Sequence, residues 1–161
     1  PYFHADCATV EELIFYLQKW SLKKYRRFPI LYLAFHGSEN GIWLGKKFFS
    51  LKELSSILAN KCLNRIIVLA ACGTLNINKK HLNLFLAETQ ALAICGYRLT
   101  VPWIESTAFE LIMLAAMQDN NFDGRGVNAI QKKLIRNARM FNSLEFRMIT
   151  RREIPSLEIQ K

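Results

Sequence analysis

The sequence predicts a single three-layer α/β domain, residues 1–161, in which helices flank a mostly parallel central sheet. Helical and strand signals alternate along the chain, which is the order that parallel sheets require. Two apolar runs, residues 30–35 and 66–71, are rich in large or β-branched side chains. Continuous runs of this length are typical of strands buried on both faces. The chain is long enough to bury a substantial core.

Capping boxes predict where the first two helices begin. Thr9 and Glu12 have the spacing of such a box, and Ser50 and Glu53 repeat it. In each pair the two side chains bond each other's backbone N–H groups, which stabilises the first helical turn. A polar loop and a short extended segment, residues 42–44, are expected between the first strand and the second helix. The apolar face of the first helix is predicted to contain Leu13, Phe15, Tyr16, Leu17 and Trp20.

The second half of the chain continues the alternation to a final strand that is expected at a sheet edge. Residues from Arg151 onward are predicted to be a loose end. The last predicted strand alternates apolar and polar residues, as strands with one covered face do. The apolar periodicity predicts a helix at 79–88, a strand at 91–95, a helix at 104–118, a helix at 127–141 and a strand at 144–149.

The composition excludes a disordered or membrane-spanning protein. Hydrophobic residues make up 51% of the chain and charged residues 22%, as in globular domains. The longest uncharged stretch, residues 66–78, has 13 residues and is shorter than the roughly 18 residues of a membrane span. No signal-peptide pattern is present, so a cytoplasmic protein is predicted. The chain begins with Pro1 instead of methionine, which favours a fragment or processed piece of a longer protein with an upstream regulatory region.

The four cysteines show neither a metal-binding pattern nor a disulfide framework. Cys7, Cys62, Cys72 and Cys95 include no CxxC pair and no zinc-type spacing with histidine, so no metal and no cofactor are expected. Cys95 lies in an apolar run and is predicted to be a small core residue. Free thiols in this number fit a reducing compartment.

Each long apolar run ends on a reactive side chain followed by glycine. His36-Gly37 follows the first run, and Cys72-Gly73 follows the second. If the two strands are parallel neighbours, both residues reach one edge of the sheet, where α/β proteins bind ligands. A thiol beside an imidazole is the minimal pair for a cysteine nucleophile, and the N–H groups of Gly37 and Cys72 are candidates for holding an oxyanion. The alternative is that both residues only end strands and the glycines only form turns.

The order of these motifs resembles the caspase-like superfamily of cysteine peptidases, which includes caspases, gingipains, separase and bacterial CHAT-type domains. The resemblance covers about residues 30–117, and residues 93–106 are similar to the segment that follows the catalytic strand in CHAT proteins. It implies a caspase-like fold with Cys72 as nucleophile, His36 as acid/base partner and Gly37 at the oxyanion site. The spacing of 36 between the two catalytic residues (72 minus 36) is compact for this superfamily. No third triad member is evident, so a backbone carbonyl is expected to orient the histidine.

Residues near these motifs are candidates for substrate binding. Caspases recognise aspartate through arginines, and Arg98 suits that role. The CHAT and separase pattern has an acidic residue where this chain has Glu105, which implies a basic residue before the scissile bond. Glu105 equally suits the first turn of a helix, where a carboxylate complements the dipole. Trp103, like Trp43, is expected either to wall a peptide pocket or to pack in the core, and Ser38 is expected at the cleft rim.

Three functions are consistent with these observations. The first is a cytoplasmic cysteine endopeptidase with a His–Cys dyad, which cleaves a protein or peptide under the control of a sensor or upstream region. The resemblance to bacterial domains implies a role in stress or antiviral defence signalling. The second is a caspase-like scaffold or interaction module without catalysis. The third is a nucleic-acid-binding domain, which rests only on the net charge of +9, because no stacking or groove-reading motif is evident.

Overall fold

The structure is a computed structural model that describes residues 2–151. The predicted loose end is wrong at its first residue, because the Arg151 N–H donates to the Leu92 carbonyl at 2.9 Å and its guanidinium donates to the Gln90 carbonyl at 3.1 Å. The rest of that segment, residues 152–161, lies outside the described part. Within residues 2–151 helices and strands alternate as predicted. The helices are α1 (Val10–Ser21), α2 (Leu51–Ile57), α3 (Lys79–Thr89), α4 (Trp103–Gln118) and α5 (Gly124–Ala138). The strands are β1 (Ile30–Ala34), β2 (His36–Ser38), β3 (Gly41–Leu44), β4 (Lys47–Ser50), β5 (Ile66–Ala70), β6 (Ala93–Tyr97) and β7 (Phe146–Thr150). Short 3-10 helices span Lys23–Tyr25 and Asn142–Leu144.

The central sheet has four strands in the order β1-β5-β6-β7. β5 pairs in parallel with both β1 and β6, while β7 runs antiparallel at the edge. The predicted α/β class, with a mostly parallel sheet and the last strand at an edge, is confirmed. Within residues 2–151 no helix is long and apolar enough to cross a membrane.

Helices cover both faces of this sheet, so the domain has three layers. Alternate residues of β5 show the two faces. Ile67 and Leu69 belong to the core formed with α1, α2 and α3, whereas Ile66 and Val68 belong to the core formed with α4 and α5. All four side chains are buried. Burial on both faces explains why the strand is a continuous apolar run instead of an alternating one.

Both predicted capping boxes are present. The Glu12 carboxylate accepts from the Thr9 N–H at 3.0 Å, and the Glu53 carboxylate accepts from the Ser50 N–H at 2.8 Å. Backbone hydrogen bonds lower the pKa of Glu12, and the hydroxyl and N–H of Ser50 lower the pKa of Glu53. The predicted face of α1 is wrong at one position, because Phe15 is exposed while the leucines of that face are buried.

A second, antiparallel sheet, β2-β3-β4, was not predicted beyond the extended segment 42–44. Its strands have only three or four residues, which is too short for apolar alternation to be recognised. Ile42 and Phe49 pair across β3 and β4 and are buried in the core beside α1 and α2. The first strand of this sheet begins at His36, so the sheet determines where that residue lies.

Three elements begin two or three residues away from their predicted starts. β6 begins at Ala93, α5 at Gly124 and β7 at Phe146. Helix α5 starts early because the Asp123 side chain accepts hydrogen bonds from N–H groups of the first turn. β7 starts late because Glu145 has a left-handed φ of 42°, which interrupts the extended chain.

Candidate active site

The ends of β1 and β5 bring His36 and Cys72 to the same edge of the central sheet. The two strands are parallel neighbours, and their register pairs Ala34 with Ala70. His36 and Cys72 each follow two residues after this pair, so both reach the edge at the same level, as the sequence predicts. His36 is exposed and Cys72 is half-buried, so both side chains are accessible from solvent.

Gly37 packs directly against the turn that contains Cys72. A methyl group at Gly37 would lie 2.5 Å from the Cys72 carbonyl oxygen, 2.6 Å from the Thr74 hydroxyl and 2.8 Å from the Ala71 Cβ. These separations are shorter than van der Waals contact, so only glycine allows this approach. The contact fixes the start of β2 against the backbone of Cys72.

The backbone N–H of Cys72 donates no hydrogen bond to any group in residues 2–151. The ladder between β1 and β5 ends at Ala34 and Ala70, so Cys72 lies beyond the last pair. The following N–H, that of Gly73, donates to the Leu99 carbonyl at 3.0 Å. An oxyanion bound near the thiol therefore has the Cys72 N–H available as a donor.

The segment after Cys72 is held by hydrogen bonds to groups on β6 and β7. The Leu75 N–H donates to the Tyr97 carbonyl at 3.0 Å. The Arg147 guanidinium, on β7, donates to the carbonyls of Leu75 at 3.0 Å and Ile77 at 2.6 Å. Sequence reasoning missed Arg147, because no local pattern connects an edge-strand arginine with a turn about 70 residues earlier.

Thr74 connects this turn to the second sheet. Its buried hydroxyl lies 3.3 Å from the Gly41 carbonyl oxygen and 3.4 Å from that of Ala71, and these two acceptors share its single proton. Sequence reasoning missed Thr74 as well. The available signal was its place just after a strand end, where threonine hydroxyls commonly bond the backbone of a turn.

His36 is held through its backbone, which pairs with Trp43 across β2 and β3. Among residues 2–151 its imidazole forms no hydrogen bond and no ion pair. The backbone carbonyl that was expected to orient the ring is therefore not among its contacts. No hydrogen bond or ion pair within residues 2–151 therefore fixes the orientation of the ring.

Of the predicted substrate-binding residues, Ser38 and Arg98 lie beside the Cys72 turn. Backbone atoms of both residues are 3.9 Å from the position of a methyl group on Gly73. The Ser38 hydroxyl accepts a hydrogen bond from the indole N–H of Trp43 at 3.0 Å. The Arg98 guanidinium forms an ion pair with Glu145 at 3.1 Å. Both residues are therefore at the predicted rim, but each polar side chain already has a partner.

Trp103 and Glu105 lie in the first turn of α4, and within residues 2–151 no hydrogen bond or ion pair joins either side chain to His36 or Cys72. Trp103 is 75% exposed, so core packing is the wrong expectation for this residue. The Glu105 carboxylate accepts a hydrogen bond from the Ser143 hydroxyl. These two residues lie beyond the loop that starts at Arg98.

A carboxylate between two tyrosines joins α4 to the sheet beside the site. Glu110 accepts hydrogen bonds from the hydroxyls of Tyr32 on β1 and Tyr97 on β6, the latter at 2.9 Å. Burial is the main cause that raises the pKa of both tyrosines, and the Glu110 charge adds to it. Both phenols therefore remain protonated donors at neutral pH. Sequence reasoning missed this cluster, because its members lie on three separate elements.

The other cysteines lie in environments that favour the neutral thiol. Burial raises the pKa of Cys62 to about 12 and raises the pKa of Cys95. Burial together with the charges of Glu12 and Asp6 raises the pKa of Cys7. Cys95 is buried in the core, as predicted. Since the thiolate is the reactive form, these three thiols are poor nucleophiles.

Within residues 2–151 no group of three or more His, Cys, Asp or Glu side chains is arranged to hold a metal ion.

Two comparisons with known proteins bear on the identity of the chain. A search of curated proteins finds no match to the chain. A protein-family model does match, but that family has no assigned function, so the resemblance to caspase-like peptidases stays a prediction. The match spans residues 2–149, and the chain therefore belongs to DUF6642, a family of unknown function.

Proposed function

We propose that this domain is a cysteine peptidase in which Cys72 is the nucleophile and His36 transfers protons. The observation that supports this most directly is how closely Gly37 approaches the Cys72 carbonyl oxygen. A methyl group added at Gly37 would lie only 2.5 Å from that oxygen. That approach joins the ends of β1 and β5, so one edge of the sheet carries the thiol, the imidazole and the Cys72 N–H, which donates to no group within residues 2–151. This is the edge where parallel α/β sheets bind ligands.

The proposed reaction needs only groups that this edge contains. His36 takes the thiol proton, and the Cys72 sulfur forms a bond to the carbonyl carbon of the substrate. The Cys72 N–H, with Gly37 beside it, holds the resulting oxyanion. The C–N bond then breaks, and the imidazolium gives its proton to the leaving amine. Water, deprotonated by His36, hydrolyses the thioester and regenerates the thiol.

We also propose that the substrate has a basic residue before the scissile bond. An acidic preference would need a free Arg98, but the charge of that residue is compensated by Glu145 at 3.1 Å. Within residues 2–151 the exposed Glu105 carboxylate accepts only from the neutral Ser143 hydroxyl and forms no ion pair, so no neighbouring cation compensates its charge. An uncompensated carboxylate favours a lysine or arginine side chain.

The proposed setting is the cytoplasm, with control by a sensor or upstream region in stress or antiviral signalling. All four cysteines are free thiols, which fits a reducing compartment. The missing orienting contact for His36 also fits an inactive resting state, in which a regulator moves the ring towards Cys72.

Covalent labelling tests the peptidase proposal. An electrophilic peptide probe that ends in lysine or arginine is expected to modify Cys72, as located by peptide mass spectrometry. Cys72→Ala should abolish labelling, and His36→Ala should slow it by about 10²- to 10⁴-fold, the usual range for an acid/base group. Cys7→Ala is the matched control, because Cys7 is also half-buried but lies outside the site. A probe ending in aspartate should react more slowly than the basic probe.

Two results would contradict the proposal. One is a folded protein that stays unlabelled by the basic probe, which would favour the non-catalytic scaffold. The other is labelling of Cys72 at an unchanged rate in His36→Ala, which would leave a merely accessible thiol. Faster reaction with the aspartate probe would refute the basic preference alone.

A further inference from the structure

Five aromatic rings form a continuous row on the surface near the start of the chain. Phe15 and Tyr16 have ring centroids 5.2 Å apart, and Tyr16 is 6.0 Å from Phe3. Phe3 is 6.2 Å from Tyr25, which is 6.1 Å from Phe28. The row therefore joins the N-terminal segment, α1 and the 3-10 helix that precedes β1. Phe15 is 58% exposed and Phe3 is 53% exposed, so large parts of these rings face solvent.

Cations lie over the rings of this row. The Lys19 ammonium is 5.1 Å from the centroid of the Phe3 ring. The Lys24 ammonium is 5.3 Å from the ring centroid of Tyr25, and the Arg27 guanidinium is 5.2 Å from the ring centroid of Phe28. Such contacts hold positive charge at the edge of an aromatic surface.

The charge of this region is positive and unpaired. Within residues 2–151 none of its cations forms an ion pair with a carboxylate. The sequence between Glu12 and Glu39 contains no acidic residue. It contains five basic residues, Lys19, Lys23, Lys24, Arg26 and Arg27. We call these five cations and the five rings the aromatic–basic surface.

We propose that the aromatic–basic surface binds single-stranded nucleic acid. Proteins that bind single strands combine a positive surface that follows the phosphates with aromatic rings on which unpaired bases stack. The neighbouring rings of the row provide the stacking platform, and the unpaired cations provide the phosphate contacts. Duplex DNA suits the surface less well, because its bases are already stacked on one another and expose only their edges.

A membrane surface is the main competing partner for aromatic and basic residues, and the structure favours it less. An interfacial helix buries its own apolar face in the lipid. Here the apolar residues of α1, Leu13 and Leu17, are buried in the domain core. They are not available to insert into a bilayer, so the aromatic row would gain only the rings of Phe15 and Tyr16 from α1.

The aromatic–basic surface lies at the other end of β1 from the candidate active site. The 3-10 helix Lys23–Tyr25 precedes β1, whereas His36 follows it. Five strand residues span about 16 Å. Single-stranded nucleic acid bound to the aromatic–basic surface would therefore leave the active-site edge open. The inference is independent of the peptidase proposal.

Fluorescence anisotropy with labelled mixed-sequence oligonucleotides, single-stranded and duplex, tests the inference on the full chain. Single strands should bind more tightly than duplex. The logarithm of their association constant should fall linearly with the logarithm of the salt concentration, with a slope of magnitude up to about 3.5 if all five cations contact phosphates. Lys23→Ala/Lys24→Ala should weaken binding and reduce that slope by about 1.4. Phe15→Ala should weaken binding by roughly 5- to 150-fold, the range for losing one stacked base, without changing the slope.

A second pair of basic residues provides the matched control. Lys132 and Arg136 are exposed on α5, so Lys132→Ala/Arg136→Ala removes the same charge from another surface. This control should bind like the wild type. Equal weakening in the control, or unchanged binding in Phe15→Ala, would overturn the inference in favour of general charge attraction. Stronger binding to vesicles that contain phosphatidylserine than to any oligonucleotide would overturn it in favour of a membrane surface.

Discussion

Replacing Gly37 with alanine tests whether the contact between β2 and the Cys72 turn positions the proposed nucleophile. The added methyl would lie 2.5 Å from the Cys72 carbonyl oxygen and 2.6 Å from the Thr74 hydroxyl. Ordinary contacts with carbon are about 3.5–4.0 Å, so the two segments must separate by roughly 1 Å. Neither neighbour can rotate away, since one is a backbone atom and the other belongs to a buried side chain.

The size of the effect follows from this displacement. Overpacking typically costs 1–3 kcal/mol, and the rigid neighbours place Gly37→Ala near the upper end, at about 3 kcal/mol. For a domain of this length, that corresponds to a decrease in Tm of roughly 6–12 °C. A shift of about 1 Å in catalytic geometry costs on the order of 10²-fold in rate, so probe labelling of Cys72 should slow by about that factor.

The control for this prediction is Gly45→Ala. Gly45 has a φ of +59° but no atom within 4 Å of an added methyl group, so the substitution adds backbone strain without a clash. It should cost about 1–2 kcal/mol and leave the labelling rate unchanged. Thermal unfolding and labelling are measured on both variants. If Gly37→Ala labels at the wild-type rate at a temperature where it is folded, the proposed role of the contact is refuted.

Three further predictions concern groups around the site and the capped helix α2. Arg147→Met removes the donors to the Leu75 and Ile77 carbonyls. It should therefore lower the free energy of unfolding by about 1.5–3 kcal/mol and slow the labelling of Cys72. An unchanged labelling rate would mean that these hydrogen bonds only stabilise the fold. Burial raises the pKa of Tyr97 in the folded state, whereas an unfolded tyrosine ionises near pH 10. The contribution of this phenol to the free energy of unfolding should therefore be fully present below about pH 10 and fall as the pH rises above it. Urea unfolding at increasing pH should show a shallower fall for Tyr97→Phe, and an identical fall would exclude this phenol as a cause. Ser50→Ala removes the cap of α2 and should cost about 1 kcal/mol in urea unfolding; no loss would mean that the capping box does not stabilise the helix.

The best-predicted features of the fold depend on neighbouring residues alone. The apolar runs that became β1 and β5 were recognised because burial on both faces requires continuous apolar sequence. The starts of α1 and α2 were recognised because a capping box needs only two side chains three residues apart. The sheet β2-β3-β4 was missed because its strands are too short for a period of two to be recognised.

The candidate site was predicted in part for the same reason. His36, Gly37 and Cys72 follow strand ends that the sequence marks, and parallel pairing then brings them to one edge. The partners of Arg98 and Glu105 were not predictable, because Glu145 and Ser143 lie about 40 residues or more along the chain in a 3-10 helix and the turn after it.

By itself, the sequence determined the α/β class, the central strands and the two reactive residues at their ends. The tertiary structure alone decided which groups surround them: the Arg147 guanidinium on the turn after Cys72, and Glu110 between two strand tyrosines. It also decided that exposed rings and unpaired cations share one surface near the start of β1. The physical reason is that periodicity and capping act between residues a few positions apart. Side-chain contacts across layers depend instead on how the sheet and helices pack, which no short stretch of sequence encodes.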